Sequence, residues 1–424
     1  MKNRPQLFII TFIIFFLIIV DRSTNAQTLL GQFITGEGSQ DYSGHSISLS
    51  SDGTTLAIGA PYNDGNGVNS GHVRVYQWDG QSWAQKGGDI NGVSAQEQAG
   101  FATALSANGS IVVIGAPGNK FHGSNTGQVR VYQWDGDKWS QMGSSINGRG
   151  KGSYAGYSVA ISGAGDKIVF GSPDIFDEAY AGATNDIYQW DGTDWVHLQT
   201  NYDEVEKSGF GESLAYTRNG KAVAFGANSN SRIFSSEGSV RVRSSVDEEG
   251  VLTPKGNTLR GNDFLEFFGR SVALSDDANL LVVGGDGYVR IFEWIDSSFQ
   301  DQNGEVIYHW SQRGAEIPGG ETLDLFGYSV SLSSDGNIMA IGAPTSDANG
   351  TDSGKVKIYE WKGDEWLQKG TDINGSQTMD LLGHVVSLSK DGAVLAIGAP
   401  RNDDNGSQSG HVQVYLLDQT APYA

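Results

Sequence analysis

The stretch Leu56-Ala-Ile-Gly-Ala-Pro61 decides the fold, because variants of it occur six more times along the chain. The chain contains 59 glycines, and a period of about 56 residues in their placement is the signature of a repeat architecture. The sequence therefore predicts seven copies of one structural unit. The glycines of the repeated phrase, at spacings of 56, 56, 55, 58, 58 and 56, are Gly59, Gly115, Gly171, Gly226, Gly284, Gly342 and Gly398.

Each copy contains the patterns of four β-strands. A second glycine lies fifteen residues before the first and opens an alternating segment, as in Gly44-His-Ser-Ile-Ser-Leu49. A turn such as Asp52-Gly53 then leads into the repeated phrase, and this dipeptide is the strongest short signal for a hairpin. A third strand is predicted from Gly71 to Trp78, and a fourth from Trp83 to Ile90.

Seven such units without a helical pattern favour a β-propeller, in which the units bury their faces against one another around an axis. A linear β-solenoid is the alternative. The two ends of the repeat array favour the propeller, because Leu29–Gly36 matches a fourth strand while the last repeat stops after its third strand, Val412–Leu417. We therefore expect an all-β, seven-bladed propeller of four-stranded antiparallel blades, with the N-terminal strand completing the last blade and closing the ring.

The first 26 residues are predicted to be a secretory signal peptide. Lys2 and Arg4 precede an apolar run from Leu7 to Val20, and small residues follow up to Ala26. This run is shorter than the ~20 residues that span a bilayer, so we expect a secreted, extracellular protein. The propeller is predicted to occupy residues 27–424, with blades at about 44–90, 100–146, 156–199, 211–259, 269–317, 327–373 and 383–417 plus 29–34.

The composition restricts the class of partner. With 28 basic and 49 acidic residues, the chain has a formal net charge of −21, which disfavours nucleic acids and insertion into anionic membranes. Cysteine is absent, so we expect the core and the strand ladders to hold the fold without disulfides. Four sequons predict a glycoprotein if the source is eukaryotic, at Asn108, Asn349, Asn374 and Asn405.

The repeat resembles the FG-GAP repeats of the N-terminal propeller of integrin α subunits. The resemblance rests on the Gly-Ala-Pro phrase, on openings such as Ala99-Gly100-Phe101 and Leu325-Phe-Gly-Tyr-Ser-Val330, and on the later Gly-x-Val-x-Val-Tyr strand. It covers essentially the whole chain after residue 26 and implies a propeller with an extracellular binding or adhesion role. In that family the link between the first and second strands of a repeat often holds a calcium loop. Here the corresponding link, Ser50–Thr54, is a tight turn with too few oxygen ligands for calcium, so we expect that metal site to be lost.

The long polar loops are the expected functional surface. In the family's strand order, links such as Tyr62–Ser70 and Thr345–Ser353 lie on one face. The opposite face has tight turns, apart from a long loop predicted from Ile295 to His309. Closely spaced side-chain oxygens in three loops suggest calcium binding, and the alternative is that Asn, Asp and Gly only shape the turns. The candidate metal ligands are Asp64, Asn66, Asp347, Asn349, Asp352, Asp403 and Asn405.

A second candidate site is formed by the residue that follows each opening glycine. If the ring closes, these seven residues surround the axis, with His45 beside His384, and the polar ones are candidates to bind a ligand at the channel mouth. The alternative is packing between blades. The polar and aromatic candidates are His45, Tyr157, Glu212, Arg270, Tyr328 and His384, and Phe101 completes the set. The recurring tryptophans, such as Trp78 and Trp83, suggest either sugar stacking or packing between blades, and their equivalent positions favour packing.

No Ser-His-acid order, phosphate loop or His/Cys metal spacing recurs in the sequence, so we expect no catalytic residues. The sequence and the resemblance together lead us to expect a non-catalytic extracellular binding or adhesion module with a protein or glycan partner, and with calcium as its only cofactor. The alternatives are a propeller lectin and a secreted propeller hydrolase or lyase that acts on polysaccharides.

Overall fold

The chain forms seven antiparallel sheets arranged as a β-propeller, and none of its described residues is in a helix. The computed structural model describes residues 27–418 apart from 174–182, 203–208, 229–236, 246–250, 263–265, 301–305 and 321–322, and without the side chains of 297–300 and 306–308. The predicted fold class and blade number are confirmed. The predicted signal peptide, residues 1–26, lies outside the described residues.

Every blade has the same order of strands from the axis outward, and most of the outer strands are broken into two short pieces. The inner strands are Ser46–Leu49, Ala102–Leu105, Ser158–Ile161, Phe210–Tyr216, Ser271–Leu274, Ser329–Leu332 and Val385–Leu388. The second strands are Thr55–Ala60, Ile111–Ala116, Lys167–Ser172, Ala222–Ala227, Leu280–Gly284, Ile338–Ala343 and Val394–Ala399. The third strands are His72–Trp78, Gln128–Trp134, Thr184–Trp190, Ser239–Ser244, Tyr288–Gln300, Lys355–Lys362 and His411–Leu417.

The outer strands differ more between blades than the other three. In blades 1 to 3 they are Trp83–Gln85 with Ile90–Asn91, Trp139–Gln141 with Ile146–Asn147, and Trp195–Tyr202. In blades 4 to 6 they are Thr253–Pro254 with Leu259–Arg260, Val306–Gln312 with Ile317–Pro318, and Glu365–Gln368 with Ile373–Asn374. In blade 7 they are Gln27–Leu29 with Ile34–Thr35, from the other end of the chain.

The N-terminal segment closes the ring as predicted. Gln27 pairs with Leu417, and Ile34 pairs with Val412, so both pieces of the segment add to the third strand of blade 7. Ile34 is only 4% exposed and belongs to a core cluster that joins blade 7 to blade 1. Closure therefore covers the strand edge of the last blade and also buries apolar area between two blades.

The second strands explain why the repeated phrase is almost entirely apolar. All six residues of Thr55–Ala60 are buried, because both faces of the strand contact a neighbouring blade. The core consists of clusters between adjacent blades, such as the one in which Val73 and Val75 of blade 1 pack with Val112 and Ile114 of blade 2. Each blade thus buries its faces only against its neighbours, as expected for a repeat fold.

Adjacent blades contact each other through the two glycines that define the repeat. A Cβ atom on Gly59 would overlap the carbonyl oxygen of Gly100 in the next blade, so only glycine permits this approach. The hydroxyl of Ser46 donates to the same carbonyl at 2.8 Å. The contact occurs at all seven blade interfaces, in the pairs Gly59–Gly100, Gly115–Gly156, Gly171–Gly211, Gly226–Gly269, Gly284–Gly327, Gly342–Gly383 and Gly398–Gly44.

The insertion in blade 5 differs from the long loop predicted for Ile295–His309. The third strand continues to Gln300, the outer strand begins at Val306, and Ile295 pairs with His309. The insertion is therefore an extended hairpin, with residues 301–305 outside the described part. The prediction was wrong because it copied the strand lengths of the other blades, whereas a hairpin can continue outward wherever successive residues keep pairing.

We expect Gly59→Ala to destabilise the protein by about 3 kcal/mol, because the added methyl group forces two backbones apart at a blade interface. Gly88→Ala is the matched control, since nothing lies within 4 Å of a Cβ at this glycine of the same blade. Urea unfolding of both variants measures the effect. Equal free energies of unfolding would contradict the role given to the glycine contact.

Deleting residues 27–36 should cost at least ~3 kcal/mol of stability, because it removes the buried Ile34 and exposes the edge of blade 7. Deleting the last four residues, 421–424, serves as the control for a shortened chain. Thermal melts of both truncations are the measurement. Equal melting temperatures would refute closure by the N-terminal segment.

Candidate functional site

The two faces of the propeller differ in the links they carry. Antiparallel pairing puts the links from inner to second strand on one face, here named the turn face, together with those from third to outer strand. The remaining links form the opposite face, named the loop face. In blades 1, 2, 4, 6 and 7, isolated parallel bridges on this face, such as Gly71 with Ala99 and Ser43 with Gly410, join the link between the second and third strands to the segment that leads into the next blade. The long loops are thus held to a rigid scaffold.

The residues that follow the opening glycines meet around the axis on the loop face, and together they are named the axial ring. Each is partly exposed and comes from a different blade. The prediction that His45 lies beside His384 is confirmed. Ring centroids are 4.6 Å apart for His45–Phe101, 4.9 Å for Phe101–Tyr157, 5.1 Å for Tyr328–His384 and 5.1 Å for His384–His45, and the guanidinium of Arg270 lies 4.5 Å from the ring centroid of Tyr328.

Glu212 is the one carboxylate of the axial ring, and its surroundings favour its protonated form. Burial raises its pKa to about 7, although the charge of Arg270 and a hydrogen bond from Asn228 act in the opposite direction. Burial and the negative charge of Glu212 also raise the pKa of Tyr157. The axial ring therefore holds a carboxyl group that changes its charge near neutral pH.

The two histidines of the axial ring are held neutral. Burial lowers the pKa of His45 to about 4, although a hydrogen bond between its Nδ1 and the carbonyl of Phe101 at 3.1 Å acts in the opposite direction. Burial, followed by the neighbouring His45 ring and the charges of Arg401 and Arg270, lowers the pKa of His384 well below its usual value. Packing of neutral rings explains these histidines without a ligand.

The turn face is tied together by backbone hydrogen bonds that run around the axis. We call this circle of hydrogen bonds the collar. Arg218 completes it, because its backbone N–H donates to Oδ1 of Asp276 at 3.4 Å, and its guanidinium also contacts the hydroxyl of Ser51 on the opposite side of the axis. A cavity of about 200 Å³ is lined by residues of the collar, among them Arg218, Asp276 and Ser334. The backbone donors and acceptors are Ser51 to Ala107, Ala107 to Gly163, Gly163 to Arg218, Asp276 to Ser334, Ser334 to Lys390 and Lys390 to Ser51.

The tryptophans pack between blades, which supports the favoured interpretation. The indole N–H of Trp83 donates to the carbonyl of Leu30 at 3.0 Å, and that of Trp139 donates to Lys86 at 2.7 Å, in each case in the preceding blade. Trp83 also contacts Trp78 of its own blade, with ring centroids 5.5 Å apart. The indole N–H groups of Trp83 and Trp139 are therefore bonded within the protein, which makes these two side chains a poor platform for sugars.

The candidate calcium ligands have the same structural roles in blades 1, 6 and 7. Each aspartate at the start of a loop accepts a backbone N–H five residues later, and each asparagine two residues further on donates its amide to a carbonyl of the next link. The aspartate bonds are Asp64 to Asn69 at 2.8 Å, Asp347 to Asp352 at 2.9 Å and Asp403 to Gln408 at 2.7 Å. The asparagine bonds are Asn66 to Gly92 at 2.7 Å, Asn349 to Gly375 at 2.8 Å and Asn405 to Gly36 at 2.8 Å.

These bonds show how the loops keep their shape, as the turn interpretation requires, and calcium binding stays a prediction. In the tight turns, Oδ1 of Asp52 accepts from the Ser50 hydroxyl at 2.6 Å and from the N–H of Thr54 at 3.0 Å. This carboxylate oxygen is thus used within its own turn, and the loss of the family's calcium loop there stays a prediction.

One group of possible metal ligands was missed by sequence reasoning. Glu37, His72 and Asp89 place one ligand atom each within 4.8 Å of one another, where the closing segment meets blade 1. The three residues are far apart in the repeat pattern and come together only because Glu37 follows the strand that closes the ring. An alignment of the closing segment with the link that leads out of blade 1 would have placed Glu37 near blade 1 and so pointed to this group.

The charge of Glu212 gives a pH-dependence of stability with a definite sign. Its pKa of about 7 in the folded protein lies above the ordinary value of 4.5, so the folded state binds more protons between these values. Its contribution to the free energy of unfolding is therefore complete below pH 4.5 and is lost as the pH rises to 7. Glu212→Gln should remove this dependence. The difference in free energy of unfolding between wild type and variant should then change by on the order of 2 kcal/mol between low and high pH.

Urea unfolding of wild type and Glu212→Gln at pH 4.5 and pH 8 is the measurement. The two proteins share every other ionisable group, so the comparison isolates the effect of residue 212. Glu365→Gln, at an exposed position in blade 6, is the matched control. Its free energy of unfolding should differ from that of wild type by the same amount at both pH values. A constant difference for Glu212→Gln would contradict its raised pKa.

None of the described residues forms a helix long and apolar enough to cross a membrane. A search of curated proteins gave no match to this chain. The family model of the FG-GAP repeat matches residues 36–76, 318–359 and 374–415, which lie in blades 1, 6 and 7. The chain is therefore a seven-bladed β-propeller with FG-GAP repeats in three places, consistent with an FG-GAP propeller of the integrin α type.

Proposed function

We propose that this protein is a non-catalytic, secreted binding module that presents its loop face to an extracellular protein. One observation carries the proposal, namely that apolar side chains are exposed on loops that the scaffold holds in place. The FG-GAP propeller is often a binding module, which supports the same interpretation.

The exposed apolar side chains of the loop face belong to several blades. Single exposed apolar residues are common on proteins, and the presence of five on the loops of one face supports the proposal that this face contacts a partner. Val68 and Gln96 belong to neighbouring links, joined by a backbone hydrogen bond of 2.8 Å. The exposed fractions are 59% for Val68, 61% for Val93, 66% for Phe121, 81% for Leu323 and 39% for Met379.

Charge on the same face defines the partner further. Asp64, Asp347, Asp403 and Asp404 are exposed on the loops around these apolar residues, and the whole chain has a net charge of −21. A partner with an apolar patch and a basic rim would complement this surface, because opposite charge at the rim speeds association and excludes other partners.

The lectin alternative has one observation in its favour. A cleft of about 360 Å³ at the outer part of blade 4 is lined by Tyr202, Arg241, Arg243 and Arg260, a concentration of positive charge on an acidic protein. Such a cleft suits the carboxylate or sulfate groups of an acidic glycan. Binding on an array of acidic and neutral sugars, lost on Arg260→Ala, would favour this alternative.

The hydrolase or lyase alternative rests on Glu212, whose raised pKa of about 7 is typical of a general acid or base. The packed rings of the axial ring leave this carboxyl little access to a polymeric substrate. Turnover of a polysaccharide that disappears with Glu212→Gln would establish the enzyme and displace the binding module.

We expect Val68→Ser combined with Phe121→Ser to weaken partner binding at least tenfold, because apolar anchors in an interface contribute ~2 kcal/mol or more. The same changes should alter the free energy of unfolding by no more than about 0.5 kcal/mol, since both side chains are exposed. A partner recovered with the wild-type protein from extracellular proteins is the ligand for the titration.

Val196→Ser is the matched control, since Val196 is also apolar and 46% exposed but lies on the outer strand of blade 3. It should leave binding unchanged. Loss of binding in the control alone would place the partner on the outer rim and contradict the role of the loop face.

A further inference from the structure

The strongest unassigned group in the described part of the molecule lies at the junction where the ring closes. His72 begins the third strand of blade 1, and Asp89 directly precedes the second outer piece of the same blade. Glu37 follows Ile34–Thr35, the last piece of the closing segment. Oε2 of Glu37 lies 3.9 Å from Nδ1 of His72, and the ligand atoms of all three residues lie within 4.8 Å of one another.

The buried His72 has a polar atom without a hydrogen-bond partner in the described part of the chain. It is 1% exposed, and its Nδ1 has no hydrogen-bond partner among the described residues. A buried polar atom without a partner is costly and in native proteins points to an unplaced water or ion. The two carboxylates beside it indicate that the missing neighbour is a cation.

The repeat itself supplies a comparison. His411 occupies the same position at the start of the third strand of blade 7 and is also buried. Its Nδ1 lies 3.0 Å from Oδ2 of Asp404, and its Nε2 lies 2.9 Å from the amide nitrogen of Gln413. A histidine at this position can therefore be satisfied within the protein, and only in blade 1 does it face two carboxylates without a bond at Nδ1.

Arg74 holds one side of Glu37 and leaves the other free. Its Nη1 lies 3.4 Å from Oε1 of Glu37, and its Nη2 donates to the carbonyl of Thr35 at 2.9 Å. Oε2, the oxygen near His72, is left to bind a metal. Carboxylates that ligate metals are commonly oriented in this way by a second residue.

The ligand set selects the class of ion. One imidazole with two carboxylates suits Zn²⁺ and similar first-row divalent ions, whereas Ca²⁺ prefers oxygen ligands alone. Tetrahedral Zn²⁺ requires ligand atoms about 3.3 Å apart. The side chain of Glu37 is 46% exposed, so it is free to close the remaining distance and leave the fourth position to water.

We propose that Glu37, His72 and Asp89 form a Zn²⁺-type site that clamps the closing segment of blade 7 to blade 1. Glu37 comes from the closing segment, whereas His72 and Asp89 come from blade 1. The ligands therefore lie on both sides of the junction at which the closing segment completes the ring. Binding of the ion to the folded ring alone stabilises that ring by mass action. The site thus replaces, at one junction, the covalent staple that a chain without cysteine lacks.

The test is titration of the metal-free protein with ZnCl₂ by calorimetry, together with thermal melts in Zn²⁺, Ca²⁺ or chelator. His72→Gln is the main variant. It should fold, because blade 2 has Gln128 at this position, where its amide donates to Asn147 at 2.7 Å, and blade 1 has Asn91 at the matching place. Glu37→Gln combined with Asp89→Asn is the second variant, and exposed His309→Gln is the control for adventitious binding.

We expect one Zn²⁺ per wild-type chain, a melting temperature that rises with Zn²⁺, and at least a tenfold weaker Kd in both variants but not in the control. A Zn²⁺ affinity unchanged by His72→Gln would overturn the site, as would no binding by wild type at millimolar Zn²⁺. Zn²⁺ binding without a rise in the melting temperature would overturn the clamp. A rise with Ca²⁺ equal to that with Zn²⁺, and unaffected by His72→Gln, would assign the ion to the loops and also overturn the proposal.

Discussion

The backbone of one blade touches the backbone of the next at a pair of glycines, and the rest of the structure depends on this contact. At Gly59 and Gly100 there is no room for a methyl group, and the hydroxyl of Ser46 bonds across the same place. The close approach sets the angle between neighbouring blades. Because it is repeated seven times, it also sets the distance of the inner strands from the propeller axis. Because every interface has the same contact, the seven inner strands converge closely enough for their side chains to meet.

Convergence at the axis explains the electrostatics of the axial ring. Side chains that follow the opening glycines are packed against one another, so burial raises the pKa of Glu212 and lowers that of His45. The collar of hydrogen bonds and the guanidinium of Arg218 cover the opposite end of the axis. The protein's own groups thus pack at both ends of the axis, and the loops of the loop face are the surface on which we propose that the partner binds.

Ring closure has a chemical consequence beyond stability. The segment that supplies the last strand of blade 7 brings Glu37 beside His72 and Asp89 of blade 1, although Glu37 and Asp89 are 52 residues apart in the sequence. At the other interfaces the chain runs continuously from one blade to the next. This junction is held only by non-covalent contacts, and a metal ion would add most there.

The glycine period, the Asp-Gly turns and the unmatched strands at the two ends were enough to predict seven blades and their closure, because these signals are local and repeat. The adjacency of His45 and His384 followed from closure alone. Tertiary structure decided the rest: whether Asp64 turns its oxygen to its own loop, how far the blade 5 hairpin extends, and that the buried His72 lies beside the carboxylates of Glu37 and Asp89. These features depend on contacts between distant segments and on side-chain direction, which a repeat pattern does not encode.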